Sequence, residues 1–159
     1  MDSGFKTLTK FALSALLAAT VQGVAANAES IAKGKFLIGV GGCNDCHTPG
    51  YSESGGRLPQ ATWLTGNGVG FKGPWGTSYP QNLRSSAAKM SAEEWIQMAR
   101  RPMLPPMPAP AIATMSDSDL IAMYDFIKSL GAAEGEAPHA LPPGVEPATP
   151  YIDFVPKNL

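Results

Sequence analysis

The sequence predicts an all-α fold of three or more helices joined by long irregular loops. Capped amphipathic stretches that begin at Ser91 and Ser116, together with a helical stretch at residues 30–40, supply the helices. The connection 48–90 has no sustained period of 3.6 or 2 residues and is interrupted by eight glycines. Loops of this length are unusual in compact domains. We therefore expect this connection, called here the wrapping loop, to surround a bulky group that forms part of the core.

The first 28 residues are predicted to be a cleaved signal peptide rather than part of the fold. Lys6 and Lys10 give a positive start, an uncharged stretch follows, and a small-x-small cleavage site ends at Ala28. An uncleaved membrane anchor is the alternative. Because about 20 apolar residues are needed to span a bilayer, this shorter run, rich in Ala and Gly, favours cleavage and export, which in a bacterium means the periplasm.

The length of 159 residues suits one domain, which we place at residues 29–131. Residues 132–159 form a Pro-rich tail, predicted to be an extended strap or a loose end rather than a second domain. The net charge of −1 comes without clustered Lys and Arg, so we expect no nucleic-acid partner. No dense positive run remains to hold an anionic membrane, and no stable membrane span is expected once the signal is removed.

The helices have recognisable starts and stops. Glycines at 41 and 42 end the first helix. A capping box of Ser91 and Glu94 opens the second, which Pro102 ends. Ser116 opens the third in the same way with Asp119, and a glycine at 131 stops it. The predicted apolar faces are Trp95, Met98 and Ala99 on the second helix, and Leu120, Met123, Tyr124 and Ile127 on the third. Five prolines between positions 102 and 110 exclude helix and central strand there.

The segment 43–47, Cys-Asn-Asp-Cys-His, matches the pattern of covalent haem attachment. Each thiol must reach one vinyl-derived carbon of the same porphyrin, and the next side chain must turn its imidazole beneath the iron. Two residues between the cysteines and none before the histidine place all three groups on one side of a tight turn. The sequence thus predicts one covalently bound haem c, held by Cys43, Cys46 and His47.

Three other interpretations of the cysteines are weaker. A disulfide between Cys43 and Cys46 would close a very short loop and contribute little entropy. A zinc site needs three or four such ligands, yet the chain has no third cysteine and only one other histidine, His139. A thioredoxin-like pair is expected in a βαβ setting, and no strand pattern precedes these cysteines.

The sixth iron ligand decides between a carrier and an enzyme, because an open position admits peroxide and a thioether closes it. We expect Met107, which stands between prolines that restrict its backbone and can present sulfur with little ordering cost. Met103 is the alternative. The remaining candidates are predicted to pack in the core or beside helix caps, or to be exposed: Met90, Met98, Met115, Met123 and His139.

Four aromatic residues lie along the wrapping loop, and two roles are open for them. They could pack against a flat aromatic cofactor or form an ordinary small core. They are Trp63, Phe71, Trp75 and Tyr79.

The order of these features resembles the class I cytochromes c over roughly residues 30–131. It is most similar to the haem domains in cytochrome c subunits of bacterial periplasmic alcohol and sugar dehydrogenases. The matching motifs are Gly-Cys-x-x-Cys-His-Thr-Pro from Gly42, Gly-Thr-x-Tyr-x-x-Asn from Gly76, and Met107-Pro108 followed by Ser116-Asp117. Those subunits often carry two or three such domains, whereas this chain has one.

The resemblance implies a cytochrome c fold, axial ligation by His47 and Met107, and a place for Tyr79 and Asn82 near the haem edge or its propionates. It also implies electron transfer rather than catalysis, between a periplasmic dehydrogenase and a terminal oxidase or another cytochrome. Two alternatives remain. One is a small peroxidase-like enzyme with an open sixth site, and the other is a haem subunit fixed to a dehydrogenase by its tail.

Overall fold

The computed structural model describes residues 27–156, and the predicted signal peptide lies almost wholly outside this range. Within it the chain forms six α-helices, one short 3-10 helix at Gln60–Thr62, and three short strands. The helices are α1 (27–40), α2 (Cys43–His47), α3 (Leu83–Lys89), α4 (Ala92–Ala99), α5 (Ala109–Ala113) and α6 (Asp117–Ser129). The strands are β1 (Gly70–Gly73), β2 (Gly76–Ser78) and β3 (Tyr151–Asp153). The predicted all-α class is confirmed, with a minor sheet that the sequence pattern did not reveal.

The first and last helices cross in direct backbone contact at Gly34. A Cβ placed on Gly34 would lie 1.9 Å from the carbonyl oxygen of Ala122 in α6. Polar contacts hold the crossing on either side: Lys33 Nζ lies 2.6 Å from Asp119 Oδ1, and the Ser30 hydroxyl donates to Asp125 Oδ2 at 2.6 Å. Only glycine at position 34 allows the backbones of α1 and α6 to approach this closely, because it has no side chain.

The predicted caps and apolar faces of α4 and α6 are confirmed. Ser91 and Ser116 each accept from the backbone N–H three residues on, and Glu94 and Asp119 return the bond to the cap N–H. The inward faces of α1, α4 and α6 meet in one cluster with a residue of the wrapping loop. Its largest members are Ile38, Leu64, Trp95, Leu120, Met123, Phe126 and Ile127.

The tail is a strap that adds a strand to the wrapping loop. β1 pairs with β2 in an antiparallel hairpin and with β3 in parallel, which gives the order β2-β1-β3. Phe154 stands beside both Phe71 and Trp75, with ring centroids 5.8 and 6.1 Å apart. Strands of three or four residues are too short to show a period in the sequence.

Three helices were not predicted from the sequence. One is α2, because the segment Cys43–His47 was expected to form a tight turn. α3 lies inside the connection predicted to be irregular, and its start is set by Asn82, whose Oδ1 accepts from the N–H of Ser85 at 2.9 Å. α5 begins at Ala109, so the exclusion of helix up to Pro110 was wrong. Pro110 sits in the first turn, where a missing N–H breaks no helical bond.

Candidate functional site

Helix α2 carries all three side chains of the motif, the two thiols and the imidazole. Gly42 enters the helix with a φ of 63°, a left-handed conformation suited to glycine. Cys46 and His47 then stand three and four residues after Cys43, the spacing that brings side chains to one face of a helix. Both cysteines are free thiols and half-buried, so each can reach a group lying against this face.

His47 is held in one orientation by a segment far along the chain. Its ring is buried, and Nδ1 lies 2.7 Å from the carbonyl oxygen of Gln81. Since a carbonyl can only accept, Nδ1 carries the proton and Nε2 is left with a free lone pair. Burial lowers the pKa of His47, partly opposed by the bond to Gln81. The neutral imidazole is the form that ligates iron.

The cysteines are poor candidates for a thiolate site. Burial raises the pKa of Cys43 to about 11, and burial followed by the nearby Asp45 charge raises that of Cys46. A redox-active cysteine pair has lowered pKa values instead. Among residues 27–156 no group of three or more His, Cys, Asp or Glu side chains could hold a metal ion. The donor set of two neutral thiols and one oriented imidazole fits covalently attached haem.

A second set of hydrogen bonds locks α2 to the wrapping loop. The Thr48 hydroxyl donates to Asn44 Oδ1 and accepts from the backbone N–H of Leu64, both at 2.7 Å. The carbonyl of His47 accepts from the N–H of Gly66 at 2.9 Å. These partners come from an irregular loop, so no periodic pattern could have predicted them.

The segment that carries Met107 is anchored to β2. Ser78 Oγ donates to the carbonyl of Pro105 at 2.5 Å. The N–H of Met107 bonds to Leu104 at 3.3 Å and its carbonyl accepts from Ala109 at 2.8 Å, so its backbone is held on both sides. Met103 and Met107 are both half-buried, so their solvent exposure does not show which of them is the better candidate ligand. The choice of Met107 as the sixth ligand stays a prediction.

Three of the other sulfur candidates pack in or against the core, whereas the packing role predicted for Met90 stays a prediction. Met123 is a buried core residue, and Met98 and Met115 pack against the same cluster. The carbonyl of Met90 accepts from the Tyr124 hydroxyl at 2.8 Å. His139 is exposed.

Tyr79 and Asn82, expected near the haem, have their polar groups bound by the protein itself. The hydroxyl of Tyr79 lies 2.8 Å from Thr149 Oγ1. The amide of Asn82 caps α3 through Oδ1 and donates through Nδ2 to three tail carbonyls at residues 133–135. Contact of either side chain with the haem stays a prediction.

The aromatic residues of the wrapping loop find protein partners. Trp63 packs edge-on against Tyr51 and Phe126, with ring centroids 5.7 and 6.3 Å away. Phe71 and Trp75 pack against the tail residue Phe154. These contacts favour the small-core role for the three rings.

Residues 31–131 match the family model described as Cytochrome c. The match covers more than half of the chain and contains all of α2, the wrapping loop, and α3 to α6. Searches of curated proteins and of solved structures gave no significant match.

Proposed function

This chain belongs to the cytochrome c family, and we propose that it is a single-haem electron carrier that works in the periplasm. It passes electrons singly from a dehydrogenase to a respiratory acceptor and catalyses no reaction of its own. The family implies covalently attached haem c and redox partner proteins. When bound, haem c supplies the iron that takes up and releases one electron at a time.

The observation that carries the proposal is the oriented imidazole of His47 in the same short helix as the two thiols. Cys43 and Cys46 would hold the porphyrin edge, and His47 would offer Nε2 to the iron because Gln81 engages Nδ1. An imidazole held in one orientation would move little when the iron changes oxidation state. The reorganisation energy of electron transfer would therefore be small. The carbonyl partner also makes the imidazole a stronger donor.

Met107 is proposed as the second axial ligand. Its backbone is hydrogen-bonded on both sides, and Ser78 anchors the segment two residues before it. A thioether in this position closes the iron to peroxide and raises the reduction potential. The carrier interpretation, as opposed to a peroxidase-like one, rests on this ligand.

The proposed partners and location follow from the sequence motifs. The likeness to haem domains of alcohol and sugar dehydrogenase subunits supports a dehydrogenase as electron donor. The predicted signal peptide supports export. Within residues 27–156 no helix is both long and apolar enough to cross a bilayer.

A haem subunit fixed to a dehydrogenase is a second candidate. Four apolar side chains near the end of the tail are 39–50% exposed, and such exposure favours a protein partner. They are Tyr151, Ile152, Phe154 and Val155. Size-exclusion chromatography of a native periplasmic extract distinguishes the two, because a free carrier elutes at the size of one chain.

Protein-film voltammetry of the purified holoprotein tests the proposed function. We expect a reversible one-electron wave that cyanide and hydrogen peroxide leave unchanged. A catalytic peroxide-reduction current with the native protein would contradict the carrier interpretation and support the peroxidase-like enzyme.

A further inference from the structure

The tail lies along the seven-residue segment Gly76–Asn82, called here the central strip. Thr77 and Leu141 exchange two backbone hydrogen bonds of 2.9 Å. The neighbouring Gly76 has a φ of 97°, and a Cβ there would lie 2.0 Å from the Leu141 carbonyl oxygen. The two backbones therefore touch without intervening side chains.

Two side chains of the central strip extend this contact along the tail. The Tyr79 hydroxyl lies 2.8 Å from Thr149 Oγ1. Nδ2 of Asn82 lies 3.1, 3.3 and 2.9 Å from the carbonyl oxygens of residues 133–135. Thr77, Tyr79 and Asn82 are all buried. Burial removes competing water, so these bonds are costly to leave unmade.

Other atoms of the same strip hold the two segments that carry the axial ligands. The Gln81 carbonyl accepts from His47 Nδ1 at 2.7 Å. The Ser78 hydroxyl donates to the Pro105 carbonyl at 2.5 Å, two residues before Met107. A displacement of the strip would thus loosen both ligand segments at once.

From these contacts we infer that the tail is a positioning element for the axial ligands. Residues 133–149 hold the central strip in place, and the strip fixes the imidazole of His47 and the Met107 segment. Partners of this kind orient ligands and tune their donor strength. The Met107 half of the inference rests on the proposed function. The His47 half needs only the motif histidine.

The end of the tail supplies an internal control. From Pro150 onward its backbone bonds go to β1 instead of the central strip: Gly70 donates to Pro150 at 2.8 Å, and Phe154 donates to Lys72 at 2.7 Å. Changes in this part remove no hydrogen bond to the central strip or to either ligand segment, and they reach the strip through β1, which pairs with Gly76–Ser78.

The test compares full-length, haem-loaded variants of the two parts. Thr149→Val removes the bond to Tyr79, and Leu141→Pro removes the N–H that bonds Thr77. Their matched controls are Phe154→Ala, a side-chain truncation, and Ile152→Pro, a backbone change in β3. Two rates are measured: exchange of the His47 Nδ1 proton by NMR in the reduced protein, and cyanide binding to the oxidised protein.

We expect both rates to rise in the Thr149 and Leu141 variants and to stay at the wild-type value in the controls. The rise should be about tenfold, because each of these variants removes one ordinary hydrogen bond that holds the strip. If Leu141→Pro fails to fold, Thr149→Val with Phe154→Ala decides alone. Unchanged rates, or equal rises in variants and controls, overturn the inference.

The two proposals can fail separately. If the wild-type protein shows no iron–thioether absorption band, the assignment of Met107 fails, and the His47 proton alone then tests the tail. Normal proton exchange in both tail variants would overturn the positioning role even where Met107 ligation is intact.

Discussion

Nδ1 of His47 lies 2.7 Å from the carbonyl oxygen of Gln81, a residue 34 positions further along the chain. The bond joins the haem-attachment helix to the part of the wrapping loop that directly precedes α3. It fixes both the tautomer and the ring orientation, because a backbone carbonyl accepts only from a protonated nitrogen. The orientation of His47, the proposed proximal ligand, is therefore set by tertiary structure as well as by the Cys-x-x-Cys-His spacing.

His47→Ala should abolish stable haem-loaded protein, since the attachment helix loses its iron ligand and the wrapping loop loses its anchor. We expect the haem-loaded yield to fall about tenfold or more, measured by haem absorbance per mole of purified chain. His139→Ala is the control and should keep the wild-type yield, because His139 is exposed. A compact, fully loaded His47→Ala protein would contradict this role.

Haem should remain on the polypeptide after acid–acetone extraction, because thioether bonds from Cys43 and Cys46 survive conditions that break iron ligation. A Cys43→Ser/Cys46→Ser double variant should release its haem into the organic layer. Each single variant should retain haem through one remaining bond. Free haem from the wild-type protein would show that attachment is not covalent.

Gly34→Ala should destabilise the protein by about 3 kcal/mol, because the new methyl group would enter the backbone of α6 at Ala122. Urea unfolding of the holoprotein measures the loss. Gly39→Ala in the same helix is the matched control, since nothing lies within 4 Å of its Cβ position. That variant should be neutral or up to about 1 kcal/mol more stable. Equal stability of the two variants would contradict the close crossing.

Arg84→Met should cost about 3 kcal/mol, because a buried guanidinium leaves several carbonyls without a donor. Arg84 donates to the carbonyl of Ala61 at 2.7 Å and to those of residues 130–132 at 2.5 to 3.5 Å. It thereby joins the loop to the end of α6. Arg101→Met, at an exposed position, should change the free energy of unfolding by no more than about 0.5 kcal/mol. A similar loss in both variants would argue against this role.

Three helices were predicted from local signals within their own sequences. The caps at Ser91 and Ser116, the apolar faces behind them, and the stop before Cys43 each depend on neighbours within four residues. The Cys-x-x-Cys-His spacing is equally local, and it identified the cofactor. These features could be recognised in the sequence because their partners are close along the chain.

The missed features depend on partners that are distant in sequence. β3 pairs with β1 some 80 residues earlier, and β1 has only four residues in which a pattern could appear. The hydrogen bond from His47 to Gln81 ends on a backbone carbonyl, which every residue has. The acceptors of Arg84 could not be predicted for the same reason, because they are also backbone carbonyls. Composition left open an extended strap or a loose end for residues 132–159, and it could not indicate which residues such a strap contacts.

The absorption spectrum of the oxidised protein, recorded for the wild type, Met107→Ala and Met103→Ala, tests the central claim most directly. Wild type and Met103→Ala should both show the weak red band of an iron–thioether bond and resist cyanide. Met107→Ala should lose the band, bind cyanide readily and have a lower reduction potential, because the thioether favours Fe(II) over Fe(III). Loss of the band in Met103→Ala alone would move the ligand to Met103 and leave the carrier function intact. A wild-type protein without the band that reacts freely with peroxide would contradict the carrier assignment itself.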